Sequence, residues 1–206
     1  IKQVDFSGDP LDPIFPNFDI QQHQIENMKS SLIIDSELRK ETPLIAHWVK
    51  KAADQGASVN FINQTYGEYY FPIENFILSD RETLAENLGL ILKASYNDAT
   101  NELPDHIVDV LNELPTPTPS HYQIAKALTE NEQSFLLSGL HCHSHSQYAL
   151  IRSYLNILSY ITNSSLGELT YGANSLGAYL TGCVPHRKAF GESNESGLNA
   201  LEICTK

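Results

Sequence analysis

The sequence predicts an all-α fold: a compact bundle of about six to eight helices with an extended N-terminal arm. Three observations favour it. Apolar residues recur with the α-helical period in several segments, residues that cap helices precede many of these segments, and no segment alternates apolar and polar residues as a half-buried strand does. The chain has 206 residues, 41% hydrophobic and 18% charged, which predicts a single helical domain spanning 1–206.

The first elements are an arm and a helix. Residues 1–18 contain Pro10, Pro13 and Pro16, and proline lacks the amide donor that a helix needs, so an extended arm packed on the body is expected. Asp19 is a suitable cap for a helix that ends near Ile34.

The next segments are helical with one exception. Thr42 and Pro43 form a typical helix start, followed by a helically spaced apolar stripe that Gly56 ends. Residues 59–71 are rich in aromatic side chains and are either a helix or an irregular packed segment. Ser79 and Glu82 form a capping box for a helix that reaches about residue 96.

The clearest possible boundary is the segment 115–119, in which three prolines alternate with threonines. Such a sequence forms a stiff extended connector. It follows a predicted helix over 104–114 and precedes one over 120–128. The connector either separates two helical subdomains or is a rigid loop within one domain.

The longest helical pattern extends from Glu130 to Thr162 and is expected to be the central helix. A second capping box, Thr129 with Glu132, precedes it. The segment from Ser165 to Cys183 has four evenly spaced glycines, and we interpret it as a helix that a neighbour approaches closely.

The charge argues against some classes of partner. The formal net charge is −12, from 25 acidic and 13 basic residues, so neither nucleic acid nor an anionic membrane surface is an expected partner.

No apolar stretch approaches the roughly 18 residues of a membrane span, and no signal peptide is visible. The chain begins with Ile1 rather than Met, which is compatible with removal of a preceding segment. Three cysteines form no disulfide framework, so a cytoplasmic protein is expected.

The densest group of chemically active residues is a cluster of three histidines, His141, His143 and His145. On the predicted helix, His141 and His145 are four residues apart and share one face, which suits a transition metal if another helix supplies a third ligand. The alternative interpretation is a solvated polar face.

Candidate cofactor residues come from the same helix. His143 and Gln147 lie on its predicted apolar stripe, and Tyr148 follows them. A buried histidine is either an axial haem ligand, a catalytic acid or base, or a core residue hydrogen-bonded to another helix.

A second possible metal site joins two Cys-x-x-His units. Cys142 and His145 repeat the spacing of Cys183 and His186, and together these residues make a possible zinc site. The spacing is not that of a known zinc knuckle.

The sequence leaves two functional hypotheses. Phosphate-binding, dinucleotide-binding and nucleophile-elbow motifs are absent, so the first is a helical protein-interaction or assembly module, with a protein partner or self-association. The second is a metal- or haem-dependent helical protein, an enzyme or a sensor, that uses the histidine cluster. The sequence indicates neither the substrate nor the catalytic residues.

Overall fold

The chain is an α/β protein, so the all-α, helical-bundle prediction is wrong. A computed structural model describes residue 8 and residues 18–96, 102–184, 186–195, 197–198 and 200–205. Five parallel strands form one sheet: β1 (Ser30–Ile34), β2 (Ser58–Asn63), β3 (Asn75–Leu78), β4 (Ser134–Ser138) and β5 (Ser165–Glu168). The α-helices are α1 (Leu38–Glu41), α2 (Pro43–Asp54), α3 (Leu84–Tyr96), α4 (Asp105–Glu113), α5 (Pro119–Thr129), α6 (Tyr148–Thr162), α7 (Ser175–Leu180) and α8 (Ala200–Thr205).

The strand order is β3-β2-β1-β4-β5. From the central strand β1, the chain proceeds outward through β2 to β3. It then crosses back through α3, α4 and α5 to β4, on the other side of β1. The direction of winding therefore reverses between β1 and β4. In open parallel sheets, ligands bind in the crevice beyond the carboxyl ends of the strands at this switch point.

The strands were missed because the central ones are buried on both faces. All five residues of β1 and all five of β4 are buried. A strand covered on both faces has a continuous apolar run instead of an alternation, and periodicity does not distinguish such a run from a buried helix segment.

Three predicted helices therefore contain strands. The one expected over 19–34 is a short 3₁₀ helix (Gln22–Asn27) followed by β1. The helix predicted over 130–162 is instead β4, a 3₁₀ turn (Leu140–Ser144) and α6. The glycine-bearing helix predicted over 165–183 is instead β5 followed by α7.

Each face of the sheet carries its own hydrophobic core. On one face, α2 packs against alternate strand residues; this core includes Ile33, Ile45, Val49, Phe61, Phe135 and Leu137. On the other, α3, α5 and α6 cover the sheet; this core includes Leu32, Ile34, Ile62, Leu88, Ile124, Leu136 and Leu155. Successive strand residues thus point into opposite cores.

The four helices predicted between residues 42 and 129 are present in the structure as α2, α3, α4 and α5. The second predicted helix is α2, with Pro43 as its first residue. The helices on either side of the proline connector, α4 and α5, both pack against α3. The predicted N-terminal arm lies almost wholly outside the described residues, and Phe18, at its end, forms an antiparallel bridge with Gly167.

Candidate functional site

A polar cavity of about 170 Å³ lies beyond the carboxyl ends of β1 and β2, next to the turn that follows β4. Three connections supply its lining: the turn after β1, the loop after β2 and the 3₁₀ turn after β4. The lining residues are Asp35, Ser36, Glu37, Asn63, Gln64, Thr65 and His141. All seven are polar, and the cavity adjoins the switch point between β1 and β4, where Asp35 and His141 line it.

Gly139 allows the turn after β1 and the 3₁₀ turn after β4 to approach each other closely. A Cβ atom at this position would lie 2.1 Å from the carbonyl oxygen of Asp35 and 2.6 Å from that of Ile34. The Gly139 amide also donates to the Ile34 carbonyl, with an N–O distance of 2.7 Å. A residue with a side chain would therefore separate the ends of β1 and β4.

Asp35 is the most unusual residue of the cavity. Its backbone φ is +46°, in the left-handed region that aspartate and asparagine adopt more readily than other side chains. The residue is 3% exposed. Both carboxylate oxygens accept hydrogen bonds from Nε2 of Gln64, at 3.0 and 3.1 Å. Burial raises the pKa of Asp35 above its ordinary value, because the charged form loses solvation.

A second set of hydrogen bonds holds the turn after β1. Asn63 Oδ1 accepts from the Ser36 amide at 3.0 Å, and Asn63 Nδ2 donates to the Ser36 carbonyl at 2.8 Å. The Tyr69 hydroxyl donates to the same carbonyl at 3.2 Å. Burial, with the nearby Glu37 and Glu41 carboxylates, raises the pKa of Tyr69 to about 12, so this hydroxyl keeps its proton at neutral pH. These bonds orient the floor of the cavity.

Glu41 joins the first turn to the histidine turn. Its carboxylate accepts from the Glu37 amide at 2.8 Å and from the Ser36 hydroxyl at 2.9 Å. His141 Nε2 lies 3.2 Å from Glu41 Oε1. His141 is half exposed and lines the cavity.

The three histidines point to different partners. They lie on the 3₁₀ turn and just after it, so the helical spacing that grouped His141 with His145 does not apply. His143 Nε2 lies 2.6 Å from the Leu169 carbonyl oxygen. His145 Nε2 donates to the Arg81 carbonyl, and its Nδ1 accepts from the Gln147 amide at 3.0 Å.

The predicted cofactor residues separate in the same way. Tyr148 is the first residue of α6 and is buried, and its hydroxyl donates to Glu168. His143 Nε2 lies 3.7 Å from Oε1 of Glu168, the oxygen that Tyr148 contacts, and the His143 and Tyr148 ring centres are 4.9 Å apart. Gln147 instead lines an open groove of about 600 Å³ with Arg81, Glu82, Ser144 and Ser146. The structure thus brings His143 and Tyr148 together but not Gln147.

The two Cys-x-x-His units do not converge in the described structure. Cys142 is buried with its Sγ 3.7 Å from the Ile34 carbonyl oxygen, and burial raises the pKa of its thiol. Cys183 is exposed, beside the Thr181 hydroxyl. Among the described residues, no group of three or more His, Cys, Asp or Glu side chains is arranged to hold a metal ion. The metal and haem hypotheses stay predictions of the sequence.

The sequence interpretation missed most of the cavity. It selected His141, but not Asp35, Ser36, Asn63 or Gln64. Asp35 and Asn63 directly follow the short apolar runs 32–34 and 61–62, and Ser36 and Gln64 are the next residues. That signal becomes useful only when the runs are recognised as parallel strands, whose carboxyl ends share one edge of the sheet.

Comparison with known proteins supports the fold. No protein-family model matches the sequence, and no curated protein matches it. Among solved structures, the chain is similar to a chain in the X-ray crystal structure of the formyltransferase/hydrolase complex (FhcABCD) from Methylorubrum extorquens in complex with methylofuran, with a TM-score of 0.53 and 12% sequence identity. The match covers 87% of this chain and 49% of that chain, so this chain spans about half the length of its match. The likeness is one of fold.

In the described part of the chain, no helix has the length and apolar character needed to cross a bilayer.

Proposed function

We propose that this chain binds a small polar molecule in the cavity beyond the carboxyl ends of β1 and β2. The observation that carries the proposal is Asp35: a buried carboxylate on a left-handed backbone, at the switch point of a parallel sheet. Sparsely populated backbone conformations cluster at ligand sites, where surrounding structure maintains them. Here the surrounding structure is the hydrogen bonding of Gln64 and Asn63.

The size and lining of the cavity define the ligand broadly. A volume of about 170 Å³ equals about six water molecules at their liquid volume, so the ligand, or the part of it that enters, is small. The lining contains two carboxylates and no lysine or arginine. Anionic ligands such as phosphates are therefore disfavoured.

A nuclear magnetic resonance screen tests this proposal. The protein is titrated with a library of small amines, alcohols, amides and carboxylic acids, and backbone amide shifts are followed. We expect one chemical class to shift the amides of 35–37, 63–65 and 141, and to leave those at the amino edge of the sheet, such as 133, unchanged. A library in which no compound perturbs this set selectively would contradict the proposal.

As a second candidate, we propose that the chain works with a protein partner. The similar chain belongs to a complex by its printed description. The loop after β2 also presents two exposed tyrosines, Tyr66 and Tyr70, at 69% and 70% exposure, and Arg39 lies 4.2 Å from the centre of the Tyr70 ring. Tyrosine and arginine are enriched in the energetic centres of protein interfaces. The described cysteines are all free thiols, which supports a reducing compartment for such an assembly.

Cross-linking in cells tests the partner hypothesis. We expect a photo-cross-linking amino acid at position 68 to yield one defined product, which a Tyr66→Ser, Tyr70→Ser double variant removes. Tyr122→Ser is the control, because Tyr122 is also exposed (43%) but lies on α5. A product unaffected by the double variant would contradict the assignment of the interface to this loop.

A further inference from the structure

We infer that the ligand of this cavity carries a primary ammonium group, which binds at the Asp35 carboxylate. The inference rests on the proposed function, because it names the chemical class of molecule that the same cavity takes. It is carried by the position of an uncompensated buried carboxylate in a cavity rich in hydrogen-bond acceptors.

The first step is the charge around Asp35. Its carboxylate accepts hydrogen bonds from Gln64, a neutral side chain. Within the described residues, no lysine or arginine forms an ion pair with it. A buried charge without an opposite charge is costly, and proteins rarely keep one without a use for it.

The second step is the state of the neighbouring charged groups. Glu37 already has a cation, since Lys40 Nζ lies 2.5 Å from its carboxylate. Glu41 faces His141. His145 uses both ring nitrogens on the backbone, since its Nε2 donates to the Arg81 carbonyl and its Nδ1 accepts from the Gln147 amide. No charged side chain of the described structure therefore pairs directly with the Asp35 carboxyl group.

The third step is the balance of donors and acceptors. Gln64 donates its amide nitrogen to Asp35, and no described residue donates a hydrogen bond to its amide oxygen. Near Asp35, the cavity thus offers a ligand acceptor oxygens on the Asp35 carboxyl group and on the Gln64 amide. An ammonium group has three donors and no acceptor, which complements this set. A neutral alcohol supplies one donor and no charge.

The raised pKa of Asp35 agrees with this assignment. Burial raises the pKa of Asp35, and a cation at hydrogen-bond distance would lower this pKa again. A divalent metal ion is a poorer occupant, because no group of three or more acidic, histidine or cysteine side chains in the described chain is arranged to hold one.

Matched pairs of compounds test the inference. The probes are primary amines of four to eight non-hydrogen atoms, each paired with the alcohol in which hydroxyl replaces ammonium, and MgCl₂ and CaCl₂ alone. Amide shifts at 35–37, 63–65 and 141 report binding. We expect the best amine to bind at least tenfold more tightly than its paired alcohol.

Two variants make the test specific. Asp35→Asn should abolish the preference for the amine, and asparagine also tolerates the left-handed backbone, which favours correct folding. Asp54→Asn is the control, because Asp54 is exposed and ends α2, near the amino edge of the sheet. Thr65→Lys places an ammonium group at the exposed rim of the cavity, so it should weaken amine binding more than alcohol binding, even if Asp35→Asn does not fold.

The possible results separate this inference from the proposed function. If alcohols bind the cavity as tightly as amines, or if the amine preference survives in Asp35→Asn, the ammonium inference is wrong while the cavity remains a binding site. If Mg²⁺ or Ca²⁺ alone shifts the same amides and displaces the amine, the ligand is a metal ion and the inference is also wrong. If no compound shifts these amides, both proposals fail.

Discussion

Replacing Gly139 with alanine tests how closely the ends of β1 and β4 approach each other. Gly139 has φ −76° and ψ 168°, a conformation that alanine adopts freely. On conformational entropy alone, the substitution would stabilise the protein by about 0.4–1 kcal/mol. The added methyl group, however, would lie 2.1 Å from the Asp35 carbonyl oxygen and 2.5 Å from its carbonyl carbon.

The steric cost exceeds the entropic gain. Both contacts are with backbone atoms, so the end of β1 must move by roughly 1 Å to reach an ordinary carbon–oxygen contact. Overpacking of this kind costs about 1–3 kcal/mol. The same movement lengthens the hydrogen bond from the Gly139 amide to the Ile34 carbonyl, now 2.7 Å, which adds about 1 kcal/mol. We expect a net destabilisation of about 2–3 kcal/mol.

Urea unfolding of the wild type and two variants measures this difference. Gly172→Ala is the control, because its methyl group would meet only the flexible Ser175 hydroxyl, at 3.1 Å. We expect its free energy of unfolding to change by less than about 1 kcal/mol. Equal stability of both variants, or a Gly139→Ala protein more stable than the wild type, would refute the close approach of the two strand ends.

Two further predictions concern buried polar groups away from the cavity. Tyr148→Phe removes the hydroxyl that donates to the buried Glu168 carboxylate, so it should lower the free energy of unfolding by about 1–3 kcal/mol. The control Tyr122→Phe changes an exposed residue and should lower it by less than about 0.5 kcal/mol. Similar losses in both variants would be inconsistent with this hydrogen bond. His121 Nδ1 accepts a hydrogen bond from the Thr118 amide, and burial lowers the pKa of His121. The unfolded chain therefore binds a proton at this histidine more readily than the folded protein does. The free energy of unfolding should fall as the pH drops below about 6.5. The fall attributable to His121 should not exceed about 1.4 kcal/mol per pH unit and should be smaller in His121→Gln; parallel stability profiles of the two proteins between pH 7.5 and 5.5 would disprove this role.

The amphipathic helices could be predicted from the sequence because each has one buried face. The apolar stripe after Thr42 predicted α2 almost to the residue, and Pro43 is its first residue. The same reasoning failed for β1, where five buried residues in succession have no alternation. A run of that length is compatible with either structure, and only the pairing of β1 with β2 and β4 in the sheet decides between them.

The site was less predictable than the helices. The sequence interpretation assigned helical geometry to the histidine cluster, which lies on a 3₁₀ turn and the residue after it. His141 does line the cavity, for reasons unrelated to a shared face with His145. Asp35 and Gln64 are 29 residues apart in sequence. Their contact follows from the parallel pairing of β1 with β2, which local patterns do not indicate.

The most direct test of the central claim is a calorimetric titration with the tightest-binding compound from the screen. Wild type, Gln64→Ala and Gln133→Ala are compared; Gln64 lines the cavity, and Gln133 is exposed beside the first residue of β4, at the opposite edge of the sheet. If the cavity binds the ligand, Gln64→Ala should weaken binding at least tenfold, which is about 1.4 kcal/mol, and Gln133→Ala should leave the Kd unchanged. Equal affinities in all three proteins would contradict the account.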